Sequence, residues 1–175
     1  MAVALSIAIH TFGQGPVQEN GQKPSPLSNG SVPKVVSEKF DTEYPATTPD
    51  PSWYGCPAQG DEYWYGYNPY VCDGVAPEYY AVEFTKGDTL HKVVYTKQGK
   101  RIAVHRRWKE LPKAVSEAIK KGKYKSWTIT KDKEQIFNDP NRMKVYKVIV
   151  EKGTEKRALY FESNGTLMKE KKKKS

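Results

Sequence analysis

Two cysteines bracket the stretch of this sequence best suited to recognition: Cys56-Pro-Ala-Gln-Gly-Asp-Glu-Tyr-Trp-Tyr-Gly-Tyr-Asn-Pro-Tyr-Val-Cys72. Within it Tyr63, Trp64, Tyr65, Tyr67 and Tyr70 set large flat rings among Gly and Pro. Tyr and Trp bury much area for little lost freedom and end in a polar atom, which suits a protein partner or a sugar face. The same rings could instead hold a long loop down as a small satellite core, and both readings stay open. In an oxidising compartment a Cys56–Cys72 disulfide would close a loop of about 15 residues and contribute ~3 kcal/mol. In a reducing one the two would remain thiols. A zinc site is disfavoured, because two thiolates need two further ligands and His91 and His105 lie at no helpful spacing.

No catalytic constellation accompanies these residues. The chain has no H-E-x-x-H, no phosphate- or dinucleotide-binding glycine loop and no G-x-S-x-G. His91 and His105 fall in expected strands, and Asp61-Glu62 are sequence neighbours that point apart. Accordingly no enzyme activity, catalytic residue, cofactor or metal is expected. His105-Arg-Arg-Trp-Lys109 and Lys120-Lys-Gly-Lys-Tyr-Lys125 interleave cations with rings, a pattern able to grip phosphates and stack bases. A half-exposed strand or helix face carries the same alternation, so nucleic acid is not an expected partner. The charge is uneven: residues 1–80 hold three basic and nine acidic side chains, and the remainder 26 and 11. A basic second half suits an anionic glycan or lipid, or an acidic protein.

The elements that must position these groups are written twice. Tyr80-Ala-Val-Glu-Phe-Thr-Lys-Gly87 matches Tyr146-Lys-Val-Ile-Val-Glu-Lys-Gly153, and Val93, Tyr95, Gly99 and Ile102 match Leu159, Phe161, Gly165 and Met168. Apolar residues at alternate positions predict strands, and the Lys-Gly, Gln-Gly and Asn-Gly steps predict turns between them. Upstream, Val32-Pro-Lys-Val-Val-Ser-Glu-Lys-Phe40 parallels Leu111-Pro-Lys-Ala-Val-Ser-Glu-Ala-Ile119. The apolar spacing there is that of a helix with one buried face, entered at proline. Ser52-Trp53 and Ser126-Trp127 are expected on the first strand of each copy. The fold expected is α+β: two tandem units, each a helix followed by a four-stranded antiparallel sheet. One such unit is marginal alone, so the two would share a core or one continuous sheet.

The apolar run from Ala2 to Ile9, ending in small and polar residues, predicts a signal peptide over residues 1–15. Residues 16–30 read as a flexible linker, 31–108 and 109–170 as the two repeats, and 171–175 as a basic tail. No stretch approaches the ~20 apolar residues that span a bilayer. The order of Pro-Lys helix, Ser-Trp strand, Tyr-x-Val-x-Phe strand and glycine turns resembles the PepSY-like family, also described as β-lactamase-inhibitor-protein-like. That resemblance covers residues 31–171. It implies an exported protein, periplasmic or at the cell surface, with a binding or inhibitory role toward a protein partner and no catalysis. The alternative is an envelope-associated structural protein contacting anionic glycan or lipid. The cysteine segment and the basic tail depart from the family pattern.

Overall fold

In this computed structural model the structure describes residues 25–45, 51–56, 77–139 and 143–173. Eight strands follow one another across a single antiparallel sheet in sequence order. They are β1 (Ser52–Cys56), β2 (Tyr79–Lys86), β3 (Thr89–Thr96), β4 (Arg101–Arg107), β5 (Thr128–Asn138), β6 (Met143–Lys152), β7 (Glu155–Phe161) and β8 (Leu167–Lys173). Two short helices, α1 (Lys34–Glu43) and α2 (Lys113–Lys121), lie before β1 and before β5.

Both helices start at proline, whose fixed φ suits a helix entry. Pro33 and Pro112 accept the first turn's bonds, from Val36 and Ser37 and from Ser116. Each helix buries a pair of residues four apart: Val36 and Phe40 in α1, Val115 and Ile119 in α2. Under α1 lie Trp53, Tyr80, Val82, Phe84, Val93 and Tyr95; under α2 lie Tyr146, Val148, Val150, Leu159 and Phe161. Alternate residues of β2, β3, β6 and β7 thus make one face of the sheet the helix face.

The expectation of two helix-plus-four-strand units is corrected by the strand pairing. β4 pairs with β5 from Ala103↔Asn138 to Arg107↔Glu134, so the sheet has no internal boundary. The opposite face explains why. Ala81, Val94, Ala103, Ile136, Val145, Ile149, Ala158 and Tyr160 form one buried cluster there, spanning β2 to β7. Splitting the sheet at β4 would expose the middle of that cluster, a loss of roughly 25 cal/mol for each Å² of apolar surface uncovered.

Three smaller departures have local causes. Trp127 precedes β5, in a turn where its N–H donates to Tyr124 O, and so is not on a strand. Leu27, within the stretch read as linker, donates to Trp53 O at 2.7 Å and packs on the α1 cluster. The lysine run read as a tail is in β8 as far as Lys173, paired with β7.

Candidate functional site

The rings singled out by type, Tyr63, Trp64, Tyr65, Tyr67 and Tyr70, lie outside the described residues, as does Cys72. Their point of attachment is described. Cys56 ends β1, is buried, and faces Tyr79 across the ladder. Glu78 N–H donates to Cys56 O at 3.0 Å, and Lys97 N–H to Glu78 O at 3.1 Å. Gly55 has no side chain because a Cβ there would collide with the Pro77 ring. Residues 56 and 77 are therefore held side by side at the edge of a rigid sheet. Cys56 is not a free thiol.

A second polar group sits on the face away from the helices. Glu134 accepts from Lys92 Nζ at 3.1 Å and from Lys147 Nζ at 3.3 Å, and His105 Nδ1 lies 3.5 Å from its Oε2. Register brings them together: Lys92 faces His105 across β3 and β4, and Glu134 faces Lys147 across β5 and β6. Burial pushes the Glu134 carboxyl up, but Lys147, His105 and Lys92 together hold it well below its ordinary range. Burial pushes the His105 imidazole down, more than the neighbouring carboxylate restores. A charged carboxylate beside a neutral imidazole could suggest base chemistry. Yet His105 is 1% exposed and two lysines occupy the carboxylate, so no reacting atom could approach. The cluster is a structural one. No group of three metal-ligating side chains gathers among the described residues.

The third arrangement was not singled out from residue types. A cavity of about 260 Å³ opens on the helix face just past the end of α1, lined by Tyr44, Lys86, His91, Val104, Arg106 and Phe137. One cross-strand row explains it: Phe84, His91, Arg106, Gln135, Tyr146 and Phe161 are successive partners from β2 to β7. Its apolar ends pack under the helices, and its polar middle lines the cavity at His91 and Arg106. The signal for it was the alternation itself. His91 shares parity with buried Val93 and Tyr95, and Arg106 with Val104, so both point to the helix face. His91 stacks on Phe84 with centroids 5.4 Å apart, and its buried Nδ1 has no hydrogen-bond partner. Arg106 lies over the Trp108 ring at 5.5 Å.

No family model matches the chain, and no curated protein does. Solved structures share its architecture. A DUF2874 family protein from Bacteroides ovatus superposes with a TM-score of 0.60 at 18% identity, over 80% of this chain and 86% of that one. A BLIP-like protein from Bacteroides fragilis gives 0.58 at 19% identity, over 79% and 84%. The fold is BLIP-like. A protein from Bacteroides eggerthii, provisionally described as periplasmic, gives 0.62 at 16% identity, over 81% and 88%. At such identities the likeness speaks for the BLIP-like architecture alone.

Proposed function

We propose that this chain is an exported, non-catalytic binding module that recognises a protein partner through the rings of residues 63–70. The observation that carries this is the attachment at β1 and β2. Both ends of the ring-bearing segment rise from paired strands, Cys56 beside Tyr79, in a sheet that buries apolar residues on both faces. Binding residues concentrate on loops held by such scaffolds. A Cys56–Cys72 disulfide would pre-organise the segment further, and the absence of a free thiol at Cys56 supports it. Export is supported by the apolar run from Ala2 to Ile9 and by the likeness to a provisionally periplasmic protein. Periplasm and cell surface are both compatible with these features. No described helix is long and apolar enough to cross a membrane. Inhibition of the captured partner is the finer form of the same proposal.

Contact with anionic glycan or lipid has no comparable support, since the lysines of β8 have a role in the fold. They line an edge strand, where charge deters the addition of further strands. The proposal is tested by capture from an envelope extract with the mature protein and with the double variant Trp64→Ala, Tyr65→Ala. A partner retained by the first and lost by the second, at equal thermal stability, is the expected result. An identical captured set from both proteins would overturn it. If the partner is an enzyme, its activity should fall on titration with the unaltered protein.

A further inference from the structure

We propose that the cavity beside the end of α1 is a carboxylate-binding site, seating one carboxylate on an apolar stem between Arg106, Lys86 and His91. Three observations converge there. Arg106 and Lys86 bring two cations to one small cavity, and no carboxylate among the described residues pairs with either. Elsewhere on the sheet cations of similar burial meet carboxylates: Lys92 and Lys147 share Glu134, and Arg101 is held by Asp139 and Glu43. The His91 Nδ1 is buried without a hydrogen-bond partner, a deficit worth roughly one hydrogen bond to a group that pairs with it. Stacking on Phe84 fixes the plane of its ring.

The rest of the lining selects the anion. Val104, Phe137 and the Tyr44 ring make one side apolar, and Tyr44 is fixed against Phe84 at 4.8 Å. A phosphate is tetrahedral and strongly hydrated, and would leave that wall unfilled. A carboxylate matches the planar guanidinium fork edge to edge while its stem covers Val104 and Phe137. About 260 Å³ is less than most whole-ligand pockets enclose, so the site takes one group, not an extended molecule. Burial, followed by the charges of Arg106 and Lys86, holds the His91 imidazole below its ordinary range. At neutral pH the ring is therefore uncharged, and the positive charge comes from Arg106 and Lys86.

The full-length protein is titrated with benzoate while the His91 and Arg106 side-chain resonances are followed by NMR. Benzyl alcohol and inorganic phosphate serve as controls. Benzoate should shift both residues saturably with a Kd of about a millimolar, and each control should bind roughly tenfold more weakly or not at all. Arg106→Gln and Lys86→Gln should each weaken benzoate about tenfold, a charge-assisted hydrogen bond being lost. Lys86 is exposed, so its replacement tests the site even if Arg106→Gln, which also leaves Trp108 uncovered, lowers the melting temperature. No saturable shift, phosphate binding as tight as benzoate, or two variants that bind benzoate unchanged would each overturn the proposal. A short peptide ending in a free phenylalanine carboxylate, against its amide, identifies the source. Tighter binding than benzoate places the carboxylate on a protein chain, and weaker binding makes it a small molecule. The double variant Trp64→Ala, Tyr65→Ala should bind benzoate normally, so this site can stand or fall apart from the ring segment.

Discussion

β4 and β8 occupy matching places 66 residues apart, and their difference shows what a neighbouring strand writes into a sequence. Each follows a glycine of positive φ, +80° at Gly99 and +90° at Gly165, pressed on the first turn of a helix. A Cβ on Gly99 would lie 2.9 Å from Val35 O, and one on Gly165 2.6 Å from Ala114 O. Each strand also shifts register against its predecessor at the same point, after Val94 and after Tyr160. Local geometry therefore recurs closely. What differs is the far side: β5 pairs with β4, while β8 is the edge of the sheet. Arg-Ile-Ala-Val-His-Arg-Arg in the interior becomes Leu-Met-Lys-Glu-Lys-Lys-Lys at the edge. Ile102 is 4% exposed and its counterpart Met168 37%. A strand's composition follows its neighbours, even where its fold follows a shared pattern.

The severest test of the comparison is to damage the two helix contacts in parallel. Phe40 lies edge-on to Trp53 and Phe84 and stacks on Tyr44, with centroids 5.1 to 5.4 Å away. Phe40→Ala should cost about 3–5 kcal/mol, from lost burial and the cavity left behind. Ile119, its counterpart under α2, lacks those ring contacts, and Ile119→Ala should fall in the lower part of about 2–5 kcal/mol. Urea unfolding followed by fluorescence and circular dichroism measures both. Because one sheet joins the two regions, each variant should still unfold in a single transition. Two separated transitions would show that the regions fold apart after all.

Acid separates the interior strand from the edge next. His105 of β4 corresponds to Lys171 of β8, and only the former is buried beside Glu134. The folded state holds both the imidazole and the carboxyl below their ordinary values. The unfolded chain then binds more protons, so stability is complete above the unfolded values of 6.5 and 4.5. It falls as pH drops below 6.5 for His105, with His91 adding to that limb because burial and its cationic neighbours lower it too. Below 4.5 the Glu134 contribution is lost as well. Glu134→Gln should cost about 2–4 kcal/mol at neutral pH, since Lys92 and Lys147 lose their shared partner. It should also flatten the steepest part of the acid limb, measured as urea midpoints between pH 7.5 and 3.5. An unchanged acid limb would show that these groups do not govern it.

Much of this architecture was legible because it is local. The pairs Val36–Phe40 and Val115–Ile119, the proline entries and the glycine turns all signal within a few residues. Which strands join the two halves was not, because β4 and β5 meet across a helix and nothing near Ala103 names Asn138 as its partner. The register shift at Tyr95 turns Ile102 and Ala103 to the same face, so β4 breaks the alternation that would have shown it buried on both sides. Residue type alone drew attention to the rings of 63–70, outside the described residues. The cavity escaped for the opposite reason. Its residues run from Tyr44 to Phe137, and only strand register brings His91, Arg106 and Phe137 together. Ordinary residues become a site when a row across the sheet lines them up.

The smallest expected effect is also the most direct exchange between the matched strands. Arg101 and Leu167 hold the same position, facing Tyr95 and Phe161 respectively. Arg101 donates to both carboxylate oxygens of Asp139 at 2.7 and 2.8 Å, and to Glu43 at 3.1 Å. Tyr95 donates its hydroxyl to the same Glu43 oxygen at 3.0 Å, so the end of α1 is tied to β3, β4 and the end of β5. Arg101→Leu copies the edge residue into the interior and strands two acids that are only 21% and 19% exposed. It should cost about 1–3 kcal/mol, between the surface and buried limits for ion pairs. Leu167→Arg, at a side chain 38% exposed, should change stability by no more than about 0.5 kcal/mol. Thermal denaturation of the two variants side by side reads the asymmetry. Equal losses would mean that the matched positions share an environment, and that β5 adds nothing to the strand it covers.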